Sequence, residues 1–270
     1  MKNALRELKK HIFMYFIFAK YSLLGYMEYK ANFYASLTME IVFLLTKVIY
    51  VVFAYQLGSN INGISPDEVM IFTGVYTIMV AIFTGLFMDN FYELPGHIQN
   101  GTLDLYITKP LSLQFMVSLR HVNFALPIPN LITGVAMIII GCKRLAITVN
   151  AGYIAGFIGI IISSTIVTYC IFLMPQLLSF WTIKSGSITD IVDKFWEFNN
   201  MPMFIYSKWM QRIGTFVIPV FFITNMPSSF LTGRMNTVFL LWVFVAPIIF
   251  LIILRLFWNV AIKKYTSASS

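Results

Sequence analysis

The sequence predicts an all-α, polytopic membrane protein with six transmembrane helices. Three observations carry that expectation. Hydrophobic residues make up 59% of the 270 residues and charged residues only 11%, where a soluble domain carries about 25% charge. The apolar residues fall into six runs near the roughly 20 residues that a helix needs to cross a bilayer core. Lysines and arginines gather at the ends of those runs, as they do around membrane spans. The spans leave room for short loops and two modest polar segments, but for no soluble catalytic domain.

In chain order, residues 1–32 form a basic arm. Lys2, Arg6, Lys9, Lys10, Lys20 and Lys30 alternate there with Leu5, Leu8, Ile12, Phe13, Phe16 and Ile17, a helical spacing that suits an amphipathic helix lying in the membrane interface. The arm lacks an Ala-x-Ala-like cleavage site, so the following span is expected to remain as an anchor. Span 1 is expected over 33–57 and ends in the Gly- and Asn-containing loop 58–65. Span 2 covers 69–88, and Pro66, Asp67 and Glu68 supply its first turn, where proline and acidic side chains are favoured. Residues 89–112 are amphipathic and too polar to cross. Span 3 covers 113–140 and contains Pro127 and Pro129, which remove hydrogen bonds and should kink or break it. Span 4 covers 151–173, with Gly152, Gly156 and Gly159 as a small-residue face. A second cytoplasmic segment occupies 184–208. Span 5 covers 210–223, shortened by Pro219. Span 6 covers 238–260 and stops at Lys263 and Lys264 before the tail 263–270.

Six crossings place both termini on one side. With the termini inside, twelve basic residues lie in the arm, the two polar segments and the tail, Lys109, Lys184, Lys194 and Lys208 among them. Only Lys143, Arg144 and Arg234 lie in the outer loops. That asymmetry predicts a multi-pass protein of the cytoplasmic (inner) cell membrane with cytoplasmic termini. The formal net charge of +8 then points to anionic lipid headgroups, not to nucleic acid. Cys142 and Cys170 set neither a disulfide framework nor a metal spacing.

The sharpest local signal is the run from Glu93 to Pro110. Ile98, Leu103, Leu105 and Ile107 offer apolar contact, Gly101 can end a short helix, and Pro110 can set up the next. Such a segment either presses on a soluble partner or is a snug interfacial loop. Within it, Ile98, Gly101, Leu103, Asp104, Lys109, Pro110 and Leu111 match the string I-x-x-G-x-L-D-x-x-L-x-K-P-L. Ile107 stands for the leucine before the lysine, and Gln99 for a residue that is often basic. In this string and in its layout of arm, spans and loop, the chain resembles ABC-2 family transporter permeases, the membrane subunits of ATP-driven exporters with a type V exporter-like fold. The resemblance implies two membrane subunits, a second copy or a homologous permease being one of them, and two ATPase subunits. It also implies a coupling contact made by Glu93, Ile98, Gly101, Leu103, Asp104, Ile107, Lys109 and Pro110. ATP and Mg would then bind the partner, and no cofactor this chain. In agreement, the sequence holds no Gly-x-x-x-x-Gly-Lys-Ser/Thr nucleotide loop.

Other polar residues fall inside spans. Glu40 and Lys47 share a face of span 1, seven residues apart. At about 10 Å of rise direct pairing is not expected; the two either form a polar lining or an intersubunit contact, or Glu40 sits near the cytoplasmic headgroups and Lys47 pairs with a span partner for packing. Asp89 ends span 2 and Arg120 begins span 3; either the two pair, or Arg120 snorkels to lipid phosphate. Pro127 and Pro129 make either a hinge or a fixed kink. Asp190, Asp193 and Glu197 form an acidic stripe that reads as the solvated side of a helix. No nucleophile–base set and no metal-ligand set stands out, so enzyme chemistry is not expected. The function expected is export of an amphiphilic drug, peptide or lipid-like substrate; a membrane scaffold or an ion-coupled carrier is the alternative.

Overall fold

The computed structural model describes residues 2–58, 63–182 and 186–265. Lys184, the middle of the 58–65 loop and most of the tail lie outside the described residues. The fold is all-helical. The arm forms one continuous helix, α1 (Lys2–Glu28), and α2 follows it directly (Lys30–Leu57). One long rod comes next: α3 (Pro66–Phe83), a π-helical turn (Thr84–Met88) and α4 (Asp89–Gln99). A short α5 (Asp104–Ile107) and α6 (Leu113–Leu119) lead to α7 (Pro127–Arg144). The remaining helices are α8 (Ala151–Gln176), α9 (Gly186–Asn199), α10 (Lys208–Phe216), α11 (Phe222–Leu231) and α12 (Thr237–Ile262).

Side-chain caps fix where several helices start. Ser65 accepts from the Glu68 backbone N–H, and Glu68 Oε2 accepts from the Ser65 N–H, a reciprocal box that opens α3 with Pro66 in its first turn. Asn150 and Asn236 cap α8 and α12 by accepting from Tyr153 and Phe239.

Among the described residues, four helical stretches are long and apolar enough to cross a membrane: Lys30–Gln56, Pro66–Gln99, Ala151–Phe180 and Thr237–Ile262. Two expected spans differ. The 113–140 run is broken over 120–126, and Pro127 occupies the first turn of α7, where its missing N–H has no partner to lose. Of the two expected outcomes, a kink or a break, the break is the one observed, and the prolines stand in the first turn of the helix that follows it. The 210–223 run falls into α10 and α11, of nine and ten residues, each about 15 Å or less. Span 2 does not stop at Met88, because the helix continues to Gln99.

Segment 184–208 does not form one layer beside the 89–112 segment. Asp193 accepts from Tyr92 Oη at 2.6 Å. Three residues on, Trp196 lies against Phe83 and Tyr76 at ring distances of 5.0 and 6.2 Å. Lys208 lines a cavity with Glu68 and Arg234 at the far end of the rod. α9 thus runs antiparallel to the α3–α4 rod, with an aromatic face turned inward, while Asp190, Asp193 and Glu197 are all exposed, as expected of a solvated stripe.

The core sits between α3–α4 and α8. Phe83 meets Phe172, and both Phe87 and Phe91 meet Tyr169. The closest backbone approach is α3 on α7. A Cβ on Gly74 would lie 2.8 Å from the Gly134 carbonyl, and one on Gly134 would lie 2.7 Å from the Gly74 carbonyl. In lipid such close packing drives helix association. The small-residue contact expected at Gly152-x-x-x-Gly156 is weaker: Gly156 lies under the Phe230 ring, and Gly159 has open space around it. α2 buries only one stripe, with Glu40, Leu44, Val51 and Ala54 inward and Phe43, Leu45, Val52 and Phe53 outward.

Candidate functional site

The rod from Pro66 ends in a foot. Gly101 turns the chain at φ +70, a left-handed conformation that favours glycine. Leu103 N–H then donates to the His97 carbonyl and Asp104 N–H to that of Gly101. Leu103 and Tyr106 are buried, whereas Leu105 and Ile107 are 62% and 49% exposed, and Lys109 and Pro110 are exposed beside them. Leu103 is therefore an anchor of the foot, not part of its outer surface as expected. Ile98 likewise packs on the core. Asp104 sits near Tyr265, where burial and the carboxylate raise the phenol pKa above its ordinary value.

Behind the foot lies a polar cluster. His97 Nδ1 is 2.8 Å from Thr102 Oγ1, and its Nε2 is 3.0 Å from Tyr106 Oη. Glu93 lies 3.6 Å from His97 and 3.3 Å from His121. Arg120 stacks over the Tyr106 ring at 4.6 Å. Burial raises the Tyr106 phenol pKa, opposed by the Arg120 charge. The expected pair between Asp89 and Arg120 does not form. Asp89 accepts instead from Asn123 Nδ2 at 3.1 Å, and no ion pair joins Asp89 to Arg120 among the described residues.

The break at 120–126 meets this cluster, and other elements satisfy its backbone. Asn90 accepts from the His121 N–H and donates to the His121 carbonyl, both at 2.8 Å. The Val122 N–H donates to Ser22 Oγ of α1. The Asn123 N–H donates to the Gly85 carbonyl at 3.0 Å, inside the π-helical turn. Asn123 Oδ1 accepts from Ala125 and Leu126, opening α7. Pro127 sits against Gly85, where a Cβ would come within 2.8 Å of its ring. A cavity of about 620 Å³ borders the break and is lined by Tyr21, Tyr26, Asp89, Glu93, Arg120 and other residues of α1.

Deeper in the bundle, Asn130 joins the two charges of α2. Its Nδ2 donates to Glu40 Oε1 at 2.6 Å, and its Oδ1 accepts from Lys47 Nζ at 3.3 Å. Asn130 is fully buried and Glu40 nearly so. Glu40 and Lys47 thus act through a third residue on α7, which reconciles their shared face with their separation. Lys47 also lies 5.1 Å over the Tyr76 ring.

At the far end, Arg234 clasps Glu68 through two nitrogens, at 2.5 and 2.8 Å, and donates to the Gly63 carbonyl. The structure therefore gathers Glu93 and Arg120 at the foot and Asp89, Pro127 and the break above it. Glu40 and Lys47 form a separate site, and Pro129 joins neither beyond its place in the first turn of α7. Sequence reasoning missed Asn90, Asn123 and Asn130. The signal was present: an amide in an apolar run needs partners that lipid does not supply.

The described residues thus form a bundle of apolar helices, with stretches long enough to cross a membrane and an exposed foot at the end of one of them. A family model described as ABC-2 family transporter protein matches residues 37–269, and the chain belongs to that family. It is accordingly a multi-pass membrane protein and a permease, and the family implies an ABC ATPase as its partner. No curated protein and no solved structure matches the chain.

Proposed function

We propose that this chain is the membrane subunit of an ATP-driven exporter, that the ATPase docks on the foot, and that a second permease copy or a homologous permease completes the path. In this reading the substrate is amphiphilic, the lipids around the bundle are its solvent, and ATP and Mg bind the partner alone. Both termini face the cytoplasm of a cell whose inner membrane holds the complex.

One observation carries the reading. A single rod of 34 residues, Pro66–Gln99, ends in a surface where Leu105, Ile107, Lys109 and Pro110 are exposed while Leu103 and Tyr106 are buried. Exposed large apolar side chains beside a firm anchor suit a protein contact. Movement of the foot would reach the break through Asn90, and α7 and α1 through Asn123, Gly85 and Ser22. Coupling of this kind needs two states of the permease, each favoured by a different state of the ATPase.

The test is co-purification in mild detergent. Leu105→Asp with Ile107→Asp should abolish recovery of an ATPase subunit while leaving membrane insertion and the gel-filtration profile unchanged. Leu103→Asp should instead lower the yield of folded protein, because it buries a carboxylate. Undiminished ATPase recovery with the double variant would remove the foot from the docking site.

A further inference from the structure

A cavity of about 380 Å³ lies between α2, α3 and the turn after α9, lined among others by Thr46, Lys47, Tyr50, Thr73, Tyr76 and Asn200. Lys47 is the one cation there. Its nearest carboxylate partner, Glu40, is engaged through Asn130, and no ion pair within 4.0 Å holds Lys47 among the described residues. An ammonium at this depth of an apolar helix is costly without a counter-charge. The two threonine hydroxyls give their hydrogens to the Phe43 and Val69 carbonyls. Tyr76 Oη and the Asn200 amide have no hydrogen-bond partner among the described residues, so the donors facing the cavity are Lys47, Tyr76 and Asn200. An ammonium bonded to a neutral amide oxygen and in no ion pair among the described residues, with a tyrosine hydroxyl and an amide beside it that can also donate, describes a site for an anion. The Tyr50 and Tyr76 rings and the outward apolar face of α2, with Phe43 and Phe53 exposed, describe a bed for an alkyl chain.

We infer that this cavity binds the anionic headgroup of an amphiphile, a carboxylate or phosphate held by Lys47, with its alkyl chain along α2. The inference names a substrate class for the permease and rests on the reading of the chain as a membrane permease. It does not depend on where the ATPase docks.

Trp196 supplies a local reporter, since its ring lies 6.2 Å from that of Tyr76. The purified protein in detergent is titrated with dibromostearate, dibromo-phosphatidylglycerol and dibromostearyl alcohol, and bromine quenching is read as the difference between the wild type and Trp196→Phe. The anionic probes should quench Trp196 at lower concentration than the alcohol. Lys47→Gln should weaken them by about tenfold, the size of one lost charge-assisted hydrogen bond. Lys47→Arg should retain most of the binding, and the alcohol should respond to neither change. Thr46→Phe narrows the cavity without touching a bond of Lys47 and without adding an indole, so it should reduce quenching by both anions even if Lys47→Gln disturbs the Asn130 link. Quenching by phosphatidylglycerol alone assigns the site to a two-chain lipid headgroup, and quenching by stearate to a single-chain carboxylate; both support the inference. Equal quenching by anions and alcohol, or quenching by the anions unchanged in Thr46→Phe, would overturn it. Loss of ATPase recovery is a separate readout, so the two readings fail independently.

Discussion

The bundle contains two interrupted helices, and they are closed by opposite means. In the break at 120–126, the partners come from elsewhere: Asn90 of α4, Ser22 of α1 and the Gly85 carbonyl of the π-helical turn. In the break between α10 and α11, the chain closes on itself. The Ile213 carbonyl accepts from Val217 and Ile218, and the Gly214 carbonyl accepts from Phe221 at 2.8 Å. Among the described residues, the backbone tie from this corner to another helix is the Thr215 carbonyl, which accepts from Trp242 Nε1 at 2.9 Å. Non-helical backbone is tolerated at membrane depth only where protein satisfies it, and both breaks meet that condition. The difference lies in what each one ties together. The first joins the rod, the arm and α7 into one mechanical body beside the foot. The second is a local corner, with Val217 65% exposed beyond it.

The largest expected effect tests the first break. Asn90→Leu keeps the volume and removes both bonds to His121, leaving a half-buried N–H and carbonyl unpaired, each at up to about 1–3 kcal/mol. Thermal unfolding in detergent should show a clear loss of stability. Asn90→Asp, which keeps the acceptor only, should fall between that variant and the wild type. A stability equal to wild type for Asn90→Leu would mean that the break closes in another way.

A smaller effect is expected at the second break. A Cβ at Gly214 would overlap the Phe221 ring, and that ring is backed by Tyr206 at 4.8 Å and Phe198 at 6.4 Å. Gly214→Val should therefore cost about 1–3 kcal/mol, the usual range for overpacking. The damage should stay local, so recovery of the ATPase through the foot should not change. If Gly214→Val lowered ATPase recovery while Asn90→Leu spared it, the contrast between the two breaks would be reversed.

Much of this was legible in the sequence, and the limits have physical causes. Long apolar runs announced α2, α8 and α12, and Pro66 to Glu68 announced the start of α3, because span length and first-turn preferences are local properties; that Ser65 caps it was not read. The foot was legible as a segment through Gly101 and Pro110. Its orientation was not, because Leu103 and Leu105 differ only in what packs on them. Pro127 and Pro129 announced a kink or break in the 113–140 run, and Pro219 a shortened span, but neither gave the bounds of the break, because hydropathy averages over a window and does not register who accepts the hydrogen bonds of residues 120–126. That Pro127 opens α7 was not legible, since a proline at the start of a helix and one inside it look alike in sequence. Glu40 and Lys47 stood out at once as charges in a span. The residue that joins them lies 83 positions beyond Lys47, and only the tertiary fold brings Asn130 there.

The smallest effect sharpens the comparison most, because it removes this outward backbone tie of the second break. Trp242→Phe deletes the donor to the Thr215 carbonyl and keeps an aromatic ring against Phe216, now 5.3 Å away. One hydrogen bond is worth about 1 kcal/mol net, so a modest drop in thermal stability is expected. The neighbouring carbonyls of Ile213 and Gly214 keep their own partners, so α10 should hold its bounds. Hydrogen exchange of the 217–221 amides is the discriminating measurement. In a self-closed corner, Trp242→Phe should speed their exchange little more than its stability loss requires. Exchange that rose far beyond that, to the level reached at 121–126 in Asn90→Leu, would show that α12 holds this corner as the rod and the arm hold the other.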